Sequence, residues 1–276
     1  MTAVLFAVAS AIFFGGMTVA IRVGLRGGGG NAATAALATL LWATAVALVA
    51  ALPRHDLHRF WQFVLAGLIA PGCSQVLFTL SVRDAGPSRT SVAVGAAPLL
   101  ATGLAFSALG EPVRAPLVAG ALVIVAGGAV LASEPDRPEH VRLLALLYAV
   151  FATVFFAVRD NLIRALHAHA SPLTAATATC VGGMLISALW ARRPPATAEL
   201  RRFAPAGVLF GLSYVCLFEA YFHGRVSVVS PLVATESLWG VGLALIVFRH
   251  AEGVGRRVVV GALLVVAGGA LIGTFR

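Results

Sequence analysis

Apolar residues run along this chain in long blocks, with Arg, Pro and Gly marking the block ends. The pattern delimits ten candidate helices at residues 2–21, 32–52, 61–82, 88–108, 115–133, 142–163, 172–190, 204–222, 227–248 and 257–275. About 20 apolar residues, rising 1.5 Å each, cross the roughly 30 Å hydrocarbon core of a bilayer, and every block is close to that length. The segments between them are too short to hold a soluble domain. The most polar, Ser133 to Arg142, carries Glu134, Asp136, Arg137, Glu139 and His140 and joins the two halves of the chain. The prediction is an all-α integral membrane protein with ten transmembrane helices.

The block pattern is also duplicated. Gly120–Ala129 reads GALVIVAGGA and Gly261–Ala270 reads GALLVVAGGA, 141 residues later. Phe13-Phe14 with Ile21-Arg22 answers Phe155-Phe156 with Ile163-Arg164 at an offset of 142. Gly72-x-Ser74-Gln75 answers Gly211-x-Ser213-Tyr214, and Ser88 with Ser91 answers Ser227 with Ser230, both at 139; Glu111 answers Glu252 at 141. Each half holds five blocks, an odd number, so the second half must enter the membrane in the opposite sense. The expected organisation is two inverted five-helix repeats, residues 1–133 and 142–276, joined by a polar link at 134–141.

Composition agrees with a membrane setting. Hydrophobic residues make up 59% of the chain and charged ones 11%, against about 25% charged in a soluble domain, and the mean hydropathy is +0.94. A net charge of +9 would ordinarily suggest nucleic acid. Here all 20 basic residues are Arg, spaced singly or in pairs between apolar blocks. That is interfacial anchoring and not a binding stripe, so no nucleic-acid partner is expected. Thirteen of the 20 Arg fall after odd-numbered helices, which by the positive-inside rule sets both termini outside the cytoplasm. The opening run has no basic segment and is expected to be a retained first helix.

Metal, cofactor and nucleotide chemistry find little support. Cys73, Cys180 and Cys216 lie inside apolar blocks at unrelated spacings, which argues against a disulfide framework or a metal site. His55-x-x-His58 and His167-x-His169 lack a third ligand. There is no Walker A pattern, so ATP does not drive the chain directly. No cofactor is expected.

Glu236 is the sharpest candidate for function. It falls about ten residues into the ninth block, near mid-bilayer, where an ionised carboxylate costs several kcal/mol unless paired or neutral. A carboxyl there can carry a proton between the two sides; the alternative is a protonated Glu bonded to a neighbouring helix. Trp239, one turn on, offers an aromatic surface for a solute or for packing. Ser74-Gln75 and Ser213-Tyr214 form two walls of one cavity or else bond helix to helix. Pro71-Gly72 breaks the helix just before the first pair. Ser91 and Ser230 face the same two readings. Arg159 and Asp160 point about 100° apart on one helix, so Arg159 is expected to pair across helices, with Glu219 of the eighth block, or to snorkel toward the headgroups with Asp160 at headgroup level.

Phe14-Gly15 with Ile21-Arg22, and Thr90-Ser91…Ala97-Pro98…Leu109-Gly110-Glu111, resemble the first helix, the fourth helix and the Gly-Glu link of EamA-type carriers of the drug/metabolite transporter superfamily. Ten spans arranged five plus five fit that family over almost the whole chain. There are departures: Phe14 stands where the family often has Trp, Ala97 where it has Glu before Pro, and Ser237 where Pro would follow Glu236. The resemblance implies a bacterial cytoplasmic-membrane protein with both termini inside, opposite to the Arg distribution. It also implies a central cavity built by helices one to four and six to nine, through which small metabolites, often amino acids, move.

The expected function is therefore a secondary transporter, an exporter of small metabolites such as amino acids, working by alternating access and coupled to H⁺ through Glu236. Its partners are a small solute and the lipid bilayer. Small-residue faces at Gly127-Gly128 and Gly269-x-x-x-Gly273 fit scaffold packing or a homodimer equally. The alternative is a membrane-embedded enzyme acting on a lipid-linked substrate, which would need carboxylates, His or Arg clustered at one face. A channel would need a ring of like groups, which Glu236 and Gln75 do not make.

Overall fold

A computed structural model describes residues 1–26, 31–53, 58–95, 97–132 and 143–248, with residues 257, 260, 261, 263, 264, 267, 268, 271 and 274 of the last block. The inter-repeat link, Glu252, His55, Gly269 and Gly273 lie outside the described residues. The helices are α1 (Thr2–Arg26), α2 (Ala32–Ala51), α3 (Phe60–Gly67), α4 (Ser74–Ala85), α5 (Pro87–Val94), α6 (Ala97–Ala108), α7 (Ala115–Ala132), α8 (Leu143–Leu166), α9 (Pro172–Ala191), α10 (Thr197–His223), α11 (Val226–Val233) and α12 (Glu236–Val247). No strand occurs among the described residues. Six stretches among them are long and apolar enough to cross a membrane: α1, α2, α3 through α4, α9, α10, and α11 through α12. The described residues of the last block are helical as well.

Helix ends follow local chemistry. The Asn31 side chain accepts from the Ala33 N–H at 3.0 Å and starts α2, as Asn does at N-caps. α10 starts seven residues before the expected 204, because Glu199 accepts the Ala196 N–H at 2.8 Å and binds Arg193 through both oxygens. α1 runs on past Ile21 to Arg26, whose guanidinium lies 4.0 Å from the centre of the Phe248 ring, a cation–π contact.

Three of the blocks are discontinuous. The third turns through Leu68–Cys73, where Ala70 is extended at φ −144° and ψ 121°; this is the break expected at Pro71-Gly72. In the fourth, α5 ends at Val94 with Gly95 in a turn, and the ninth breaks between Val233 and Glu236; neither feature was expected. Pro98 cannot accommodate the carbonyl four residues before it, that of Val94. At Thr235 the backbone tightens to i→i+3 bonds, Thr235 N–H to Leu232 O at 3.2 Å and Ser237 N–H to Ala234 O at 3.1 Å. Hydroxyls reinforce the turn, Thr235 Oγ1 to Leu232 O at 2.7 Å and Ser237 Oγ to Ala234 O at 3.0 Å, because short polar side chains compete for backbone acceptors.

Packing between the halves is reciprocal. α1 lies against α10 and α12, while α8 lies against α4 and against α5 and α6; α2 packs on α10 and α9, and α9 packs on α3 and α2. Small residues permit the close approaches that membrane helices rely on. A Cβ on Gly15 would sit 2.7 Å from the Gly240 nitrogen and 2.8 Å from Trp239 Cβ. At the centre, the Phe14 ring meets Phe78, Phe156 and Phe210 edge-on at 5.3, 5.9 and 6.0 Å. Buried threonines such as Thr39, Thr79 and Thr179 donate to the carbonyl four residues back, which satisfies the hydroxyl where no water reaches.

Candidate solute-binding cavity

The break in the ninth block opens onto a small cavity of about 30 Å³. Helices α1, α5, α6, α8, α10, α11 and α12 contribute its lining. Its polar wall consists of Glu236, Arg159, Asp160, Ser10, Ser213 and Ser230. Its apolar wall includes Phe14, Phe156, Leu217 and Val233. Glu236 is the first residue of α12, so the helix break is what points a carboxylate into this space. It is 5% exposed, Arg159 4% and Asp160 3%. Three charged side chains are thus gathered inside the protein and away from lipid, the arrangement that makes intramembrane charge tolerable.

Arg159 and Asp160 pair with each other. Nη2 and Nε of Arg159 donate to Asp160 Oδ1 at 2.6 and 3.0 Å, and Nη1 donates to the Tyr214 hydroxyl at 2.6 Å. The guanidinium also lies 5.0 Å from the Phe156 ring centre and 5.2 Å from that of Tyr214. Ser230 donates to Asp160 Oδ2 at 3.4 Å. Across the cavity wall Ser213 donates to the Ser10 carbonyl at 3.0 Å, and the two hydroxyls lie 3.0 Å apart.

The expected Arg159–Glu219 contact does not form. A long guanidinium arm can fold back onto the next residue's carboxylate although the two Cβ directions diverge, and Glu219 instead faces His223 one turn away at 3.5 Å. Nor does Arg159 snorkel: it ends on Tyr214 in the middle of the bundle.

The other candidates divide. Ser213, Ser230 and Glu236 line the cavity, and Tyr214 stands behind it holding Arg159. Ser74 and Gln75 are buried outside it. The Gln75 amide points at the Met17 sulfur, 3.9 Å away, and its Oε1 has no partner, because the Leu68–Cys73 turn redirects α4 toward α1 and α8. Ser91 packs against Gly240, where an added Cβ would meet its Oγ at 2.5 Å. Trp239 is 36% exposed and faces away from the cavity, since Gly240 and Gly15 occupy the close approach between α12 and α1. Of the helices implied to build the cavity, the second, third and seventh contribute no lining residue among those described. Ser10 was missed; a lone Ser in an apolar run carries no signal by itself.

Beyond the cavity, side chains bond helix ends to one another. Glu111 accepts the N–H groups of Val226 and Ser227 at 2.8 and 2.9 Å and caps α11. Arg22 donates to the carbonyls of Val82 and Arg83 at 3.4 and 2.8 Å, at the end of α4. Arg164 donates to the carbonyl of Tyr221 at 3.2 Å, at the end of α10.

The sequence profile of the EamA-like transporter family matches residues 1–133 and 143–274. The chain belongs to the EamA-like transporter family. A solved structure titled "Crystal structure of protein" superposes with a TM-score of 0.78 at 18% identity, covering 99% of this chain and 96% of its own. At that identity the likeness concerns the fold alone. No curated protein matches the chain. As an EamA-like transporter of the drug/metabolite transporter type, the protein is a multi-pass membrane transporter, and its polar cavity is the place to look for a solute.

Proposed function

We propose that this EamA-like protein is a secondary carrier that exports small metabolites bearing an amino group, amino acids among them, by alternating access. Glu236 at the break between α11 and α12 carries the proposal, because it sets a carboxylate into an internal cavity beside the Arg159–Asp160 pair. Discontinuous helices near the midplane are where carriers expose polar groups to a solute.

The working unit we propose is a pair of inverted five-helix repeats in the cytoplasmic membrane of a bacterium. Three observations support it. The family profile matches in two blocks, the packing of α1 on α10 and α12 is mirrored by that of α8 on α4 to α6, and Arg22 and Arg164 make equivalent helix-end bonds.

Proton exchange at Glu236 supplies the driving force in this reading. The charged and titratable groups around it are Arg159 and Asp160 on α8 and Tyr214 and Tyr221 on α10; α1 and α5 bring the uncharged Ser10 and Ser91. Glu236→Gln keeps the shape and removes the titration. Transport should then lose its dependence on a pH gradient, and an unchanged rate and pH profile would reject the proton role.

An enzyme for a lipid-linked substrate would need working carboxylates at one membrane face. Arg164, His167 and Arg225 do line a second, shallower cavity of about 330 Å³ with Glu111. The Glu111 carboxylate is already engaged by two backbone N–H groups, which favours the carrier. Counterflow into proteoliposomes preloaded with mixed amino compounds tests the carrier reading: saturable overshoot is expected, and its absence for every solute would reject it.

A further inference from the structure

We infer that the cavity selects for an amine and against a free carboxylate, so that its cargo is a small organic cation with an apolar body and not a zwitterion. The inference rests on the carrier reading and narrows it. It follows from which groups in the cavity are already matched.

The charged lining is two carboxylates, Glu236 and Asp160, and one guanidinium, Arg159. Arg159 is matched by Asp160 at 2.6 Å. Three of the five N–H donors a guanidinium offers are taken up by Asp160 and Tyr214. Two aromatic rings flank its carbon at 5.0 and 5.2 Å. A solute carboxylate could meet the two remaining N–H donors, but the guanidinium charge there is already matched by Asp160, and displacing Asp160 would strand a buried anion. Glu236 differs. Among the described residues its carboxylate accepts no hydrogen bond, and it fronts the empty space. When Glu236 is ionised, the site therefore lacks one positive charge.

An ammonium group meets that lack. It has three donors and no acceptor, and the wall beside Glu236 supplies acceptor oxygens on Ser10, Ser213 and Ser230. Phe14 and Phe156, with Leu217 and Val233, receive an apolar substituent. A carboxylate on the same solute would enter a space holding two carboxylates, with the guanidinium already engaged. Like charge juxtaposed in this way is how a site excludes a competitor.

The test is counterflow with the full chain in proteoliposomes, corrected for protein-free vesicles, at neutral pH, where the amines are already cationic and protonation of Glu236 is not favoured further. The probes share a 3-methylbutyl unit: isoamylamine, leucinamide, leucine and isocaproate. The amine and the amide should overshoot, leucine should fall below them by about tenfold, the factor that roughly 1.4 kcal/mol of unmatched charge produces, and isocaproate should not exchange. Glu236→Gln should lower amine exchange by at least about the same factor while the folded protein elutes as the parent does. If that variant failed to fold, Ser213→Ala, which removes one acceptor, should lower amine exchange and leave the order of the four probes intact. Leucine carried as well as its amide, or any carriage of isocaproate, would overturn the inference and leave the carrier intact. Exchange of other metabolites with none of these four would overturn it equally. Absence of counterflow for every solute in a broad pool would instead be the failure of the carrier reading.

Discussion

The carboxylate of Glu111 accepts the backbone N–H of Val226 at 2.8 Å and so ties the link after α6 to the start of α11. Its second oxygen takes the Ser227 N–H at 2.9 Å. One acidic side chain from the first half of the chain thus satisfies two of the unpaired donors at a helix start in the second half, with its charge placed favourably against the helix dipole. A bond of this kind holds α11 against the link after α6.

Replacing Glu111 by Ala should lower stability by about 1–2 kcal/mol, the range for a lost charged cap, and Glu111→Gln by less, since the amide oxygen still accepts one N–H. Thermal unfolding in detergent checks the order. If the cap holds the halves together, the Ala variant should also expose the cavity more often, read as faster labelling of a cysteine introduced at Ser10. Equal melting for both variants would refute the cap.

Arg22 and Arg164 should behave as a matched pair. Each donates to carbonyls at the end of the third block of its own half, Arg22 to Val82 and Arg83 and Arg164 to Tyr221, where cations meet the negative end of the helix. Arg→Ala at either position should cost about 1 kcal/mol, and the double variant about 2, because sites without shared partners add. Lys should recover only part, lacking the forked guanidinium. A double-mutant melt in detergent supplies the comparison; strong non-additivity would mean that the two positions share a network.

The all-helical membrane architecture could be read from the sequence because the apolar blocks carry their own length signal. The turn at Gly95 and the break at Thr235 could not. Gly95 and Pro98 in one block, and Pro231 and Thr235 in the other, are common in membrane helices, and periodicity does not tell a tolerated residue from a break. Side-chain placement was harder still. Glu236 stood out because a lone acid in an apolar block is costly anywhere but in a cavity. Gln75 and Trp239 looked equally exceptional yet point elsewhere, since direction depends on the turn at Leu68–Cys73 and on the Gly15–Gly240 approach. The Arg159–Asp160 pair was misread because sequence spacing fixes Cβ directions but not where a long arm ends.

Removing Asp160 should be far more damaging than removing both members of its pair. Asp160→Ala leaves the Arg159 guanidinium buried without its counter-ion, which costs about 3–5 kcal/mol, enough to prevent accumulation of a marginally stable protein. Arg159→Met with Asp160→Leu strands no charge and should restore much of the folded yield, as apolar replacement of a buried pair often does. Folded yield by size-exclusion chromatography reads both. A double variant as unstable as the single would show that Tyr214 and Ser230, rather than the ion pair, dominate this cluster.

Gly15 tests whether the position of Glu236 depends on how closely α1 and α12 approach. A methyl at Gly15 would meet the Gly240 nitrogen at 2.7 Å, Trp239 Cβ at 2.8 Å and the Glu236 carbonyl at 3.0 Å. Two of these are backbone atoms that cannot rotate away, so α12 must shift as a body. Overpacking of this kind costs about 1–3 kcal/mol, and the displacement acts directly on the residue that carries the cavity carboxylate. Gly242, on the same helix, has nothing within 4 Å of an added Cβ, and Ala there should be neutral or slightly stabilising through helix propensity, by up to about 1 kcal/mol. Gly15→Ala should therefore lower both the melting temperature and solute exchange, while Gly242→Ala lowers neither. Were both substitutions silent, the α1–α12 contact would be looser than these distances require, and the placement of Glu236 would have to come from the turn at Thr235 alone.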